Sequence, residues 1–276
     1  MDIKILAFDL DGTTVVGHKD MPEENKIALT EAEAKGVYLV PCTGRIKSFL
    51  PADVSALPNI RYVISSNGAS VDDIVTGENI YKALIPVALT KKVQEIINCY
   101  DLYQELYVDG AAYTLRINPD KARANPDFFP VSKHHFLTKK YTFIEDFDEF
   151  IEEAQVTPEK INLPYIPDKL RKEIWNRLSE FPELILTSSI PDNIEINCTA
   201  ANKGAALRAL AEHLGYSAEN CFAIGDNGND AAMLEYAGIS VAMGNSSPEA
   251  FAAAKYTTDT CNNCGLAKAI RKYILE

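Results

Sequence analysis

The sequence predicts an α/β protein: a doubly wound parallel sheet with a smaller α+β module inserted into it. Three observations carry this reading. Apolar runs alternate with helical periodicity over the first 65 residues, and the same alternation returns from residue 203. Between about 86 and 195 it gives way to paired strands and a Pro-rich loop.

Residues 3–9 (IKILAFD) form a near-continuous apolar run, as a parallel strand covered on both faces requires. Residues 22–35 have helical spacing, with Pro22 at the start and Gly36 after the end. Strands follow at 37–42 (VYLVPC) and, after a loop and helix region, at 61–65 (RYVIS). This order implies right-handed crossovers and a third parallel strand. The inserted module begins with a helix at 89–101 and paired strands around 105–117, linked by a turn-like DGAA. A Pro-rich loop at 119–130 comes next, then a helix near 145–154, a strand near 159–165, a helix at 168–181 and two short strands within 184–197. Parallel α/β character resumes with a helix at 203–214, strand 221–225, helix 229–237, strand 239–242 and a last helix near 265–275. The expected division is therefore a core of 1–85 and 196–276 and an insert of 86–195.

Composition narrows the function classes. Hydrophobic residues make up 47% of the 276-residue chain, enough for a sizeable core. The formal charge of −12 repels nucleic acid and anionic membrane, so neither is an expected partner. No apolar stretch reaches the roughly 20 residues of a membrane span, and the N-terminus lacks a cleavage-site pattern. A cytoplasmic protein, monomeric or weakly dimeric, is expected. The six cysteines are scattered, which favours free thiols. Cys261 and Cys264 form a lone CxxC without a second pair to complete a zinc site, and are read as loop residues.

The chemistry gathers where strands end or helices begin: Asp9 and Asp11, CTGR at 42–45, Lys203, and GDNGND at 225–230. The carboxyl ends of parallel strands share one edge, so these parts converge. Asp9, Asp226 and Asp230 would then repel one another unless a cation sits among them, and all-oxygen ligands suit Mg²⁺. Thr43 offers a hydroxyl, Gly44 an approachable N–H, and Lys203 a charge at a helix start; together they compose a phosphate pocket. A carboxylate at Asp9 can attack phosphorus to give an aspartyl-phosphate. Asp11, two residues on, can protonate the leaving alcohol and later deprotonate water.

FDLDGT (8–13), TGR (43–45), SNGA (66–69), the lysine of ANKGAAL (201–207, with Lys203) and IGDNGNDAAML (224–234) resemble, in order and spacing, the haloacid dehalogenase (HAD) superfamily. Within it the resemblance is to Cof-type phosphatases with an inserted α/β (type IIB) cap. The resemblance implies Asp9 as nucleophile and Mg²⁺ ligand. Asp11 would be the acid/base and bind Mg²⁺ through its backbone carbonyl, and Asp226 would be the third protein ligand. Asp230 would stand behind these, orienting the metal site or Lys203. Thr43, Gly44, Lys203, Asn229 and the Leu10 N–H would hold phosphate. From its place after the third strand, at the same edge, Asn67 is a candidate substrate contact, and Arg45 is read in the same way. The chain departs from the family at Thr14, where an apolar residue is common, and at CTAANKG before the lysine.

The implied activity is Mg²⁺-dependent hydrolysis of a small phosphorylated metabolite: a sugar phosphate, nucleotide or phosphorylated cofactor. A phosphomutase on the same scaffold and a non-catalytic phosphometabolite-binding protein are the alternatives. Asp11-Gly12 alone reads as a turn, Lys203 alone as a solvated lysine, and Asn67 as a turn residue. A calcium loop at 226–237 fails because Ala231 and Ala237 occupy its Gly and Glu positions. Adjacent His134 and His135 face opposite ways on an extended segment and read as polar cap surface. Specificity is expected from the insert near Tyr113, Arg116 and 162–166.

Overall fold

The computed structural model describes residues 2–17, 20–116, 141–188 and 192–276. Two compact units divide the chain: Met1–Arg45, Leu50–Lys82 and Ala200–Glu276 form one, Ile46–Phe49 and Ala83–Thr199 the other. In the first unit the chain runs through β1 (Ile5–Phe8), β2 (Tyr38–Pro41), β3 (Tyr62–Ser65), β4 (Ser70–Asp73) and β5 (Asn79–Lys82). It passes through β6 (Glu105–Val108), β7 (Ala111–Leu115), β8 (Tyr141–Ile144), β9 (Lys160–Leu163), β10 (Leu184–Thr187) and β11 (Ile194–Cys198) of the second unit. It then returns to the first as β12 (Cys221–Gly225), β13 (Ile239–Ala242) and β14 (Tyr256–Thr257).

The first unit is built on a parallel sheet of order β14-β13-β12-β1-β2. Every residue of β1 is buried because helices cover both faces. Leu6 and Phe8 enter one core with Leu29 of helix Glu23–Ala34 and Leu266 of helix Gly265–Ile270. Ile5 and Ala7 enter the other, with Leu207 of helix Lys203–His213 and Met233 of helix Ala231–Tyr236. From β1 the chain moves to β2 on one side and reaches β12 on the other, so the strand order reverses at β1. Such a switch opens a crevice at the carboxyl ends of the strands.

The third strand differs from expectation. It touches the parallel sheet through one bridge, Cys42 to Ile64, and instead heads an antiparallel sheet of order β3-β4-β5. The cause lies in Ser66, Asn67 and Gly68, whose φ values of 52°, 62° and 89° reverse the chain at once. The returning β4 then occupies β3's ladder, pairing Ser65 with Ser70. At the C-terminus, the helix expected to run to 275 is α-helical over Gly265–Ile270 and widens into a π-helical turn over Arg271–Leu275.

The second unit has a six-stranded sheet, β10-β11-β9-β6-β7-β8, antiparallel except between β7 and β8. Asp109 and Gly110, with φ of 48° and 75°, close the β6–β7 hairpin, the left-handed pair that a two-residue turn favours. Helices Val87–Ile97, Phe147–Glu153 and Asp168–Leu178 share a core with Leu106, Ile161, Leu163, Ile194 and Ile196. Tyr113 packs against this core, stacked on Phe150 with ring centroids 4.9 Å apart. Arg116 lies over the Phe143 ring. The alternate residues of β6, β9 and β11 make a buried polar face: Glu105 accepts from Tyr107 and Asn162, and Lys160 pairs with Glu195 at 3.2 Å. Strand β11 crosses the expected boundary at 195/196 and belongs whole to the second unit. The expected loop at 119–130 and His134 and His135 lie outside the described residues. No helix among the described residues is long and apolar enough to cross a membrane.

Candidate active site

The site grows from the loops that leave the carboxyl ends of β1, β2, β3 and β12, all in the first unit. Asp9, Leu10 and Asp11 follow β1; Thr43, Gly44 and Arg45 follow β2; Asn67 follows β3; Asp226, Asn229 and Asp230 follow β12. Lys203 is the first residue of helix Lys203–His213, whose N-cap Asn202 accepts from Ala205 N–H.

Lys203 is fully buried, and its ammonium donates to Asp9 Oδ1 at 2.6 Å and Asp230 Oδ1 at 2.5 Å. The other Asp230 oxygen accepts the backbone N–H groups of Asp226 and Asn227, which fixes the loop after β12. Asp226 Oδ1 accepts from the Thr13 hydroxyl at 2.8 Å. Arg45 forks onto Asp11, Nε to Oδ2 at 2.7 Å and Nη2 to Oδ1 at 2.5 Å. Sequence reasoning gave Arg45 to the substrate; the structure gives its guanidinium to Asp11.

Two glycines make these approaches possible. Gly12 has φ +86°, and a Cβ there would lie 2.4 Å from Asp226 Oδ2. Gly68 has φ +89°, and a Cβ there would stand 2.4 Å from the Asn202 backbone, just before Lys203. The loops after β2 and β3 are laced together: Asn67 N–H donates to the Thr43 carbonyl, Ser66 N–H to the Arg45 carbonyl, and Arg45 N–H to the Thr43 hydroxyl. Asn67 Oδ1 accepts from Asn229 Nδ2 at 3.1 Å, which joins the third loop to the fourth.

The electrostatics of this corner are those of crowded anions. Asp9, Asp226 and Asp230 each offer an oxygen within 4.8 Å of the others. Burial, reinforced by the charges of Asp230 and Asp226, pushes the Asp9 carboxyl well above its usual range despite Lys203. Burial and Asp230 likewise push Asp226 up to about 6. Burial alone would lower the Lys203 ammonium, but the charges of Asp230 and Asp9 outweigh it and push it up. Three carboxylates around one ammonium leave excess negative charge, and the donors are all oxygen, so the residues present fit a hard divalent cation. With Asp230 committed to Lys203 and the backbone, Asp9 and Asp226 have the carboxylates to hold it.

Sequence reasoning missed Thr13, Thr14 and Asn245. The Thr14 hydroxyl donates to the Asp9 carbonyl. Asn245 donates to the Gly12 carbonyl at 2.9 Å and toward Asp226 Oδ2 at 3.4 Å, and accepts from Cys261 N–H. Asn245 could have been found by extending the strand-end rule to β13, which ends just before it. The Cys261–Cys264 loop thus meets the site through a backbone N–H.

Comparison with known proteins agrees with this geometry. A sequence profile of haloacid dehalogenase-like hydrolases matches residues 6–270. The 5-amino-6-(5-phospho-D-ribitylamino)uracil phosphatase YcsE of Bacillus subtilis (strain 168) is 33% identical over 277 residues, covering 100% of this chain and 97% of its own. The solved structure of BT1666 from Bacteroides thetaiotaomicron, described among phosphatases of the HAD superfamily, has a TM-score of 0.77 and 28% identity, covering 98% of this chain and 94% of its own. That of the HAD subclass IIB sugar phosphatase BT4131 has a TM-score of 0.77 and 26% identity, covering 98% of each chain. A match over nearly the whole chain, joined to a site of this composition, makes the protein a phosphatase that belongs to the haloacid dehalogenase-like hydrolase family.

Proposed function

We propose that the protein is a Mg²⁺-dependent phosphomonoesterase that hydrolyses a small phosphorylated metabolite through an aspartyl-phosphate at Asp9. The observation that carries this reading is the buried Lys203 ammonium shared by Asp9 and Asp230, with Asp226 at the same strand edge. Asp9, Asp226 and the Asp11 backbone carbonyl would hold Mg²⁺, which when bound offsets the charge of phosphate and carboxylate together.

The residues then divide the work. An Asp9 oxygen attacks phosphorus as the bond from phosphorus to the leaving oxygen breaks, and Asp11 gives that oxygen its proton. Asp11 then takes a proton from the water that attacks the aspartyl-phosphate, which releases inorganic phosphate and restores Asp9. Thr43, Gly44, Asn229, Lys203 and the Leu10 N–H hold the phosphoryl oxygens. Arg45, bound to Asp11 before substrate arrives, sets the direction of that carboxylate. Asp230 keeps Lys203 and the loop after β12 in place.

The second unit serves as the specificity cap. Its polar sheet face, with Glu105, Lys160, Asn162 and Glu195, suits a hydroxyl- or amide-rich leaving group. That agrees with relatives named for a ribitylaminouracil phosphate and for sugar phosphates. The substrate class is accordingly a sugar phosphate, nucleotide or phosphorylated cofactor.

The test is phosphate release from a broad phosphomonoester panel, with Mg²⁺ and with chelator. Mg²⁺-dependent turnover that Asp9→Asn abolishes is expected. Absence of release from every ester, or an Asp9→Asn variant as active as the parent, overturns the reading.

A further inference from the structure

Leu10 is wholly buried, and no group among the described residues accepts a hydrogen bond from its backbone N–H. Buried main-chain donors are nearly always satisfied, so a donor without an internal acceptor marks a place where one arrives from outside. Its partner atom across the same peptide is different: the Asp9 carbonyl accepts from the Thr14 hydroxyl at 2.6 Å. The Asp9–Leu10 peptide is planar and trans, so its C=O and N–H point in opposite directions. Whatever holds the carbonyl therefore aims the N–H.

Thr14 is itself held on several sides. Its N–H donates to the Leu10 carbonyl at 2.9 Å, and its own carbonyl accepts from Asn25 Nδ2 at 3.1 Å. Asn25 Oδ1 in turn accepts from Ala267 N–H at 3.1 Å, at the start of helix Gly265–Ile270. Thr14 and Asn25 are both wholly buried, and the residues next to Thr14 and Ala267 in the chain, Val15 and Leu266, belong to the apolar core. No water is expected to replace the hydroxyl there, and an apolar side chain would leave the Asp9 carbonyl without its donor.

We infer that Thr14 is a positioning residue: by anchoring the Asp9 carbonyl, it rotates the Asp9–Leu10 peptide so that Leu10 N–H faces the phosphoryl oxygens. The inference rests on the phosphatase reading for the identity of the anion, and it adds a residue that the motif itself does not contain. Thr14 touches no substrate. It acts through the peptide that joins the nucleophile to the first phosphate donor, and Asn25 carries the anchor back to two helices.

The experiment follows the Leu10 amide by ¹H–¹⁵N NMR as inorganic phosphate is added with Mg²⁺, in the parent, Thr14→Val and Thr14→Ser. A downfield shift of the Leu10 proton in the parent, lost in Thr14→Val and restored in Thr14→Ser, is expected. With a phosphomonoester substrate, kcat should fall roughly tenfold in Thr14→Val with a smaller change in KM, since orientation of a transition-state donor is lost and not the donor itself. Thr14→Ser should return kcat to within about twofold of the parent. A loop-stabilising role alone would lower the melting temperature in Thr14→Val and leave the amide response intact. A Leu10 proton that ignores phosphate in the parent, or responds equally in folded Thr14→Val, overturns the inference, and the parent measurement needs no variant to fold. Should the parent release phosphate from no ester, the phosphatase reading falls while the amide response still decides the role of Thr14.

Discussion

The Lys203 ammonium lies between Asp9 Oδ1 and Asp230 Oδ1, at 2.6 and 2.5 Å, with the lysine and Asp230 wholly out of solvent. A buried pair of this kind is weak evidence of net stability, because desolvation of the charges offsets much of their attraction. Removing one member is another matter, since the remaining charges are stranded. Lys203→Met should therefore cost about 3–5 kcal/mol in urea denaturation at neutral pH. Part of that loss should return on acidification, as Asp9 is already displaced upward by burial and readily takes a proton. A Lys203→Met variant as stable as the parent at pH 7 would show that the pair is solvated in solution.

Gly12 offers a sharper steric test. Its φ of +86° lies in the left-handed region, and a methyl group there would meet Asp226 Oδ2 at 2.4 Å. Gly12→Ala should lose about 1–3 kcal/mol of stability from backbone strain and displace Asp226 as well. Turnover and the Mg²⁺ requirement should change together. Retention of both in the variant would mean that the loop relaxes freely and that the close approach is not needed.

The two glycine-bearing loops also show what the sequence discloses and what it conceals. Asp9 and Asp226 were legible because each sits where an apolar run stops, and the edge rule for parallel strands brings such places together; Lys203 was legible as a charge at the start of a helix. The bond from Arg45 to Asp11 was not, because a guanidinium after a strand has equal chemical reason to meet substrate or a neighbouring carboxylate. The parallel register of β1 followed from its unbroken apolar run, whereas β3 has a similar run and takes an antiparallel partner. What decides β3 is the backbone of Ser66 and Asn67, two residues in a conformation that side-chain pattern does not encode.

Asp226 links acidity to metal binding. Its carboxyl is raised to about 6 from 3.8, by burial first and then by Asp230. Between about pH 4 and 6 the metal-free folded protein holds a proton that the unfolded chain has already released. Its stability should thus fall as pH rises through that window, by up to about 3 kcal/mol, and this contribution should level off above it. Mg²⁺ competes with the same proton, so its affinity should weaken by up to about tenfold per unit as pH falls below 6. Isothermal titration in two buffers of different ionisation enthalpy checks this through proton release on Mg²⁺ binding at pH 5.5. No proton release would place the titration elsewhere.

The Arg45 and Asp11 side chains are 24% and 29% exposed, so solvent screens their ion pair and it should contribute little to stability, about 0–1 kcal/mol. Its value would lie in geometry. Arg45→Met frees Asp11 to rotate, and kcat should drop roughly tenfold or more while the melting temperature stays near that of the parent. Arg45→Lys should recover only part of the loss, since an ammonium does not grip both carboxylate oxygens. Unchanged kcat in Arg45→Met would make the fork a resting contact without consequence for turnover.

Asn245 lies in the loop after β13. It bridges the Gly12 carbonyl, Asp226 Oδ2 and Cys261 N–H, so three loops depend on one amide. Asn245→Ala removes a support behind a carboxylate that the proposed mechanism gives to Mg²⁺. Loss of such a support typically weakens metal affinity by roughly 10–100-fold. The Mg²⁺ concentration for half-maximal activity should rise accordingly, while kcat at saturating Mg²⁺ stays close to the parent value because Asp9 and Asp11 are untouched. Asn245→Asp separates charge from contact. It adds an anion beside Asp226 and cannot donate to the Gly12 carbonyl, so a Mg²⁺ requirement unchanged in both variants would remove Asn245 from the metal site altogether.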